Sequence, residues 1–318
     1  MWDVTTWTLL ALMLVVAVSR PVGGVAPVIE PLRAALPILL IPAYAVLVGA
    51  VLGRRWLQAV VAVGLCVSHL FAIAPARRTD AAPYWVAAAA TVRIASADVW
   101  RAQPSAALAD ALASDADVVV LTDVTPTWDL LLQASPIAAT YPERVVLARA
   151  DHGGVAVLSR FAFDDRERVA GLTSPALRIR LPDGGAVRLV AVETVAPTTS
   201  SAAHEWAAEL RTIGHTTLGG DEATIAIGDF HGTRWQPSFG ALLAGGLRDA
   251  HESVGRGLSR SWPMRRFRPV ARLMHALADE RLFPTAVTDF DVRGSDHRGF
   301  VVTYAIRRDR APGPLPGA

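Results

Sequence analysis

A chain of 318 residues has room for two domains of ordinary size, and its 52% apolar content and mean hydropathy of +0.33 are high for a soluble protein. Its net charge of +2, with every one of its 31 basic side chains an arginine, gives no global case for a nucleic-acid-binding surface. A single cysteine, Cys66, excludes an intrachain disulfide and a cysteine-rich metal site.

The apolar excess is local. Three runs crowd the first quarter of the chain, at residues 7–18, 35–52 and 57–74. A membrane-spanning helix needs roughly 17–25 mostly apolar residues. The second and third runs meet that length; the first does so only with its flanks, from residue 4 to about 25. A signal peptide would explain the first run, but no positive charge precedes it and two more runs follow. Three membrane helices are therefore expected over residues 1–74, with two as the fallback. Arg54 and Arg55 occupy the very short connection between the second and third runs. Short basic loops face the cytoplasm, which places the rest of the chain outside. Arg77 and Arg78, with Arg20 and Arg33, pull the other way. The favoured location is a multi-pass protein of the cell membrane with an extracytoplasmic C-terminal domain.

Residues 75–90 are rich in Pro and Ala and read as a linker. From Thr91 the chain alternates strand and helix signals. Residues 92–99 form a strand ending in an acid; residues 105–114 have helical spacing. Residues 117–124 are a buried strand, again acid-ended, and Pro126 stands at a favoured early helix position. Strands follow at 144–148 and 154–159, joined by the turn Asp151-His152-Gly153-Gly154. Residues 177–181 and 187–192 flank Pro182-Asp183-Gly184-Gly185, a hairpin signal, and the second strand runs into Glu193. An amphipathic helix covers 201–213. Residues 224–227 are a strand opening into Gly228-Asp229-Phe230-His231, and a helix covers 237–244. Two strands finish the domain, and residues 307–318 read as a disordered Pro/Gly-rich tail. This mixture of hairpins and strand–helix units favours two packed sheets flanked by helices, a four-layer α/β/β/α sandwich over residues 91–306.

Asp98, Asp123, Asp229 and Asp296 all stand at strand ends, where α/β proteins place ligands. Four carboxylates on one rim repel each other unless a cation lies among them, and hard divalent ions take such oxygen ligands. His231 and His297 add groups that titrate near neutral pH. For any single Asp, a turn or capping role is the plainer reading; the combination is not so easily explained. His69 reads as a helix-packing residue. His152, His204, His215 and His251 read as surface or turn residues, and Trp262-Pro263 as a packing corner.

Residues 91–306 resemble the endonuclease/exonuclease/phosphatase superfamily, the deoxyribonuclease I-like fold, and most closely its membrane-anchored bacterial members. Seven short motifs recur in order: Ser96-Ala97-Asp98-Val99; residues 117–124; residues 154–160; Gly228-Asp229-Phe230-His231; residues 246–250; Ser261-Trp262-Pro263; and Gly294-Ser295-Asp296-His297-Arg298. The resemblance implies hydrolysis of a phosphodiester or phosphomonoester with Mg2+ or Mn2+. It implies Asp98, Asp123 and Asp296 at the metal, Asp229 orienting or activating the attacking water, and His297, positioned by Asp296, as general acid/base. The site is divergent. The family has Asn at position 98, Glu at 123, a phosphate-facing His at 193, Asn at 231 and Asp at 274. Here Glu193 would repel the substrate unless it is protonated or binds a second cation, and His231 could stand in for the lost imidazole. The implied partners are a phosphate ester (nucleic acid, lipid headgroup or small molecule) and the bilayer, with no obligate protein partner evident. The competing reading is a catalytically degenerate member that binds or scaffolds at the membrane surface.

Overall fold

The computed structural model describes residues 2–20, 27–264 and 269–308. Helix α1 (Trp2–Ser19) carries the first apolar run. Residues 30–52 divide into α2 (Glu30–Ala34), α3 (Leu36–Leu39) and α4 (Pro42–Leu52), each with a proline in its first turn. Proline suits a helix start and breaks a helix that would continue through it. The expected second span over 35–52 is therefore not one helix. Among the described residues, α5 (Trp56–Ile73) is the one helix long and apolar enough to cross a membrane, which corrects the expectation of three. Helices α1, α4 and α5 pack through Leu10, Met13, Ala43, Ala62 and Leu65 and leave Val15, Val48, Val60 and Phe71 exposed. His69 packs between helices as expected, with Nδ1 3.1 Å from the Tyr44 hydroxyl and Nε2 3.0 Å from the Pro37 carbonyl.

Two 3-10 turns, Pro75–Arg77 and Tyr84–Ala88, follow. The residues between them are fastened to the following fold. Thr79 pairs with Val254, the Asp80 N–H donates to the Ser253 carbonyl, and the Ser253 hydroxyl donates to the Asp80 carboxylate at 2.7 Å.

Next in order are β1 (Ala90–Asp98), α6 (Pro104–Leu112), β2 (Val118–Thr122), α7 (Pro126–Ala134), β3 (Glu143–Leu147), β4 (Val155–Ser159) and β5 (Phe163–Arg168). Then come β6 (Pro175–Arg180), β7 (Ala186–Glu193), α8 (Ser200–Leu218), β8 (Thr224–Asp229) and α9 (Pro237–Ala244). The last elements are β9 (Arg248–Asp249), α10 (Ala250–Ser253), β10 (Met274–Ala278), β11 (Leu282–Asp291) and β12 (Arg298–Ile306). They form two six-stranded sheets, ordered β11-β12-β1-β2-β4-β3 and β5-β6-β7-β8-β10-β9.

Strand β2 shows why the sheets stack. Val118 and Val120 point into the core between the sheets, while Val119 and Leu121 point outward beneath α6 and α7. A strand with both faces buried reads as an unbroken apolar run. Each such side chain contributes roughly 1.5–3 kcal/mol over the exposed state. Trp206, Leu210 and Phe239 of α8 and α9 close the other outer face against Val190 and Ala226. The result is the expected α/β/β/α sandwich.

Two local expectations change. Strand β5, Phe-Asp-Asp-Arg-Glu-Arg, is mostly exposed and pairs only with β6; charge on an edge strand guards it against further pairing but hides it from an apolar-pattern reading. Three strands, β10, β11 and β12, close the domain, not two. Of the expected tail, residues 309–318 lie outside the described residues.

Candidate active site

Two parallel strand pairs set up the site. Strands β1 and β2 run parallel in one sheet, and β7 and β8 in the other. Asp98 ends β1, Asp123 follows β2, Glu193 ends β7 and Asp229 ends β8. Strand β12 runs antiparallel to β1, so its start brings Asp296 and His297 to the same edge. Gly228 lets β8 lie close against β7: its φ is 144°, and a Cβ there would stand 1.9 Å from the Val192 carbonyl oxygen.

Asp98 is buried, with the Trp100 N–H and the Thr122 hydroxyl each donating to one of its oxygens at 2.9 Å. Burial, with Asp123 and Asp229 nearby, pushes its carboxyl well above the usual carboxylate range. Glu193 is also buried, and among the described residues neither of its oxygens has a hydrogen-bond partner. Burial, then the neighbouring Asp229, Asp123 and Asp98, raises it well above the ordinary value. Asp229 behaves oppositely. Burial favours its neutral form, but His231 and His297, with the His231 backbone N–H at 2.7 Å, outweigh burial and hold it below the ordinary value.

The imidazoles bridge these groups. His231 Nδ1 lies 2.9 Å from the Thr194 carbonyl, so it carries a proton and donates. The same Nδ1 is 3.8 Å from Glu193 Oε1 and 3.9 Å from Asp229 Oδ1. His297 Nδ1 lies 3.4 Å from Asp229 Oδ2. Burial lowers its pKa, against the pull of Asp229 and Asp296. Asp296 accepts from the Trp262 indole at 3.3 Å, so this tryptophan touches the site rather than only turning a corner.

Asp98, Asp296 and His297 each present a donor atom within 4.8 Å of the others. Asp296 Oδ1, both Glu193 oxygens and His297 Nδ1 are buried and lack hydrogen-bond partners among the described residues. Unsatisfied buried carboxyl oxygens gathered beside an imidazole fit a divalent cation, and a carboxylate–imidazole donor set suits Mn2+ as well as Mg2+. Asp123 stands outside this trio. It has a left-handed backbone, φ 56°, and its oxygens accept from the Gly153 N–H at 3.0 Å and meet His152 Nδ1 at 3.1 Å.

His152 and Trp100 escaped the sequence reading. The His152 ring is exposed, as a turn residue should be, but its centroid lies 4.1 Å from that of Trp100, and it contacts Asp123. No spacing rule links positions 123 and 152; the adjacent glycines of the turn were the only cue. His251 is a plainer correction. It is buried, with Nε2 2.9 Å from Asp289, beside a charge network centred on Asp249: Arg272 donates to Asp249 at 2.9 Å and His275 of β10 meets it at 2.6 Å. Burial first, and then Arg272, lower the His251 pKa to about 4. Met274 pairs in register with Asp229, but its side chain belongs to the core between the sheets.

The profile of the Endonuclease/Exonuclease/phosphatase family matches residues 70–297. Among solved structures, D. rerio TDP2 complexed with a single-strand DNA product is similar, with a TM-score of 0.55 at 16% identity over 68% of this chain and 99% of that one. The endonuclease/exonuclease/phosphatase from Beutenbergia cavernae gives 0.53 at 17% identity, over 68% and 72%. The 3' phosphatase NExo from Neisseria, bound to a product DNA hairpin, gives 0.50 at 16%, over 66% and 98%. At these identities the likeness is one of fold. Among curated proteins no match is found.

Proposed function

The chain belongs to the endonuclease/exonuclease/phosphatase family, and on that premise we propose that it is a membrane-anchored, divalent-metal-dependent hydrolase of phosphodiester or phosphomonoester bonds. The observation that carries this reading is the approach of His297 to Asp229, 3.4 Å, beside the donor trio of Asp98, Asp296 and His297. Asp98 and Asp296 would hold Mg2+ or Mn2+, with Asp123 behind them. When bound, such an ion polarises a phosphoryl oxygen and stabilises developing charge.

The chain's own groups divide the remaining work. Asp229, held ionised, orients a water by accepting its hydrogen bond. His297 keeps a proton at Nδ1 toward Asp229 and exchanges another at Nε2 with the reacting oxygens, with Asp296 fixing the segment it stands on. Glu193 in its neutral form, which burial favours, does not repel a phosphate and offers it an O–H donor. His231 lends a ring on the same side. Residues 1–74 anchor the fold, residues 91–306 carry the chemistry, and the domain faces outward from the cell membrane. The substrate is a phosphate ester: nucleic acid, lipid headgroup or small molecule.

Met274 favours a second reading. Where the family has an acid, its side chain is committed to the core, so the carboxylate expected at that position is missing. A catalytically degenerate protein that binds at the membrane surface fits that loss. The deciding experiment uses the full chain in detergent with chromogenic phosphodiester and phosphomonoester substrates, with Mg2+ or Mn2+ and with chelator. Metal-dependent turnover that Asp229→Asn abolishes supports the hydrolase. Absence of turnover together with tight Mn2+ binding makes the degenerate reading correct.

A further inference from the structure

A cleft of about 150 Å3 lies between the helical region and the sandwich. Ile41 and Ile73 line it from the helices, and Trp235, Leu258, Arg260 and Val270 from the sandwich. Its back wall is fixed: Trp235 is buried, and its indole N–H donates to the Ala72 carbonyl at 3.2 Å. Its mouth is open and greasy, with Ile41 51% and Leu258 36% exposed. Outward from Ile41, exposed Val48 and Val51 extend the apolar surface along α4.

Arg260 stands exposed at this apolar cleft. Among the described residues no carboxylate pairs with it, and its one hydrogen bond is a long 3.5 Å contact to the Pro269 carbonyl. Neighbouring arginines are engaged: Arg256 with Asp289, Arg272 with Asp249 and Arg234 with Glu252. A free guanidinium is a ready phosphate clamp. A cavity of this size admits a group as large as a benzene ring. The cleft also sits at a telling height. Ile73 is the last residue of the apolar helix α5, and exposed Arg77 and Arg78 follow at once. Basic side chains just beyond an apolar helix mark the headgroup level.

We propose that this cleft binds one anionic phospholipid of the surrounding bilayer, with an alkyl segment between Ile41, Ile73 and Leu258 and its phosphate on Arg260. The inference rests on the membrane anchoring proposed above but not on the hydrolytic chemistry. One segment joins the cleft to the site without placing Arg260 in it: Arg260 precedes Ser261, whose carbonyl accepts the Arg298 N–H at 2.9 Å, and Trp262, which donates to Asp296. A lipid held at Arg260 therefore lies at the root of the loop that supports Asp296.

The test uses the full chain in nanodiscs of phosphatidylcholine with a minor share of phosphatidylglycerol, followed by detergent exchange and native mass spectrometry. Wild type is expected to retain one phosphatidylglycerol per chain in preference to phosphatidylcholine. Arg260→Ala should lower that retention by roughly tenfold, the loss expected from one charge-assisted hydrogen bond. Leu258→Trp, which plugs the mouth, should remove it, while Arg256→Ala should keep it. Equal retention of both lipids by wild type, or unchanged retention in Arg260→Ala or Leu258→Trp, overturns the proposal. Turnover of a soluble phosphodiester, followed in the same samples, should be the same in Arg260→Ala as in wild type. Selective retention without turnover would sink the hydrolase reading and uphold the lipid site; turnover without selective retention would do the reverse.

Discussion

Glu193 and Asp229 are register partners on the parallel strands β7 and β8, so their carboxyl groups leave the same face of one sheet side by side. Only one of the two stays readily ionised. Asp229 has two imidazoles and a backbone N–H to hold its charge, whereas Glu193 has burial and three acidic neighbours. Adjacent carboxyls in unlike surroundings are how proteins keep one acid charged and another neutral.

Glu193→Gln should stabilise the protein, and increasingly so as pH rises. A carboxyl whose folded pKa is raised contributes stability below its unfolded value, near 4.5, and that contribution is lost as pH climbs through the folded value. Gln has no such loss. The gap in Tm between variant and wild type, measured in chelator, should widen from pH 4.5 to 8. Mn2+ should narrow it by lending wild type a counter-charge. A gap that does not change with pH would show that Glu193 is ionised as easily in the fold as out of it.

Asp229→Asn and His297→Ala should each reduce phosphodiester turnover by roughly 10²–10⁴, the range for removal of a positioned acid or base. Circular dichroism and Tm identify any variant that has simply unfolded. Turnover in folded Asp229→Asn equal to wild type would discard the proposed mechanism.

The double change Glu193→His and His231→Asn restores the family pattern at two positions. It replaces a group that can repel phosphate with one that can donate to it. Relative to wild type, turnover should rise, with the larger part of the change in KM, because binding of the phosphate is what a positive donor improves. A fall in turnover with unchanged metal affinity would assign Glu193 a necessary role of its own.

Acid should unfold the domain through the network under β10. His251 titrates near 6.5 when unfolded and about 4 when folded. A depressed folded pKa on a base means stability that is full above pH 6.5 and lost as pH falls toward 4, up to about 3 kcal/mol over that window. Urea midpoints between pH 7 and 4 should trace the decline. His251→Gln should be weaker at pH 7 but lose less over the same interval; an identical slope in both proteins would clear His251 of the effect.

Much of this was legible in the chain. The buried runs at 118–121 and 225–227 announce central strands because both faces are covered and only apolar side chains fit. The acids at their ends followed from position alone. What the sequence did not reveal was long-range or local in a different way. Exposed Asp165 and Glu167 conceal a strand held by backbone pairing with β6. Pro37 and Pro42 start separate helices within residues 35–52, a break that an apolar count over the whole run does not register. His152 reaches Asp123 only because Gly154 lets two loops touch: a Cβ there would lie 1.9 Å from the Val124 carbonyl. His251 looked like a surface residue because nothing near it in sequence supplies its partners Asp289 and Arg272.

The fastening of residues 75–90 has a mechanical result. With Thr79 paired to Val254, Asp80 locked to Ser253 and Trp235 bonded to Ala72, the segment is a rigid post and not a leash. If α5 anchors the chain as proposed, that post would hold the rim of Asp98, Asp229 and His297 at one standoff and one tilt from the bilayer, and the phosphate esters it meets would be those presented at that height.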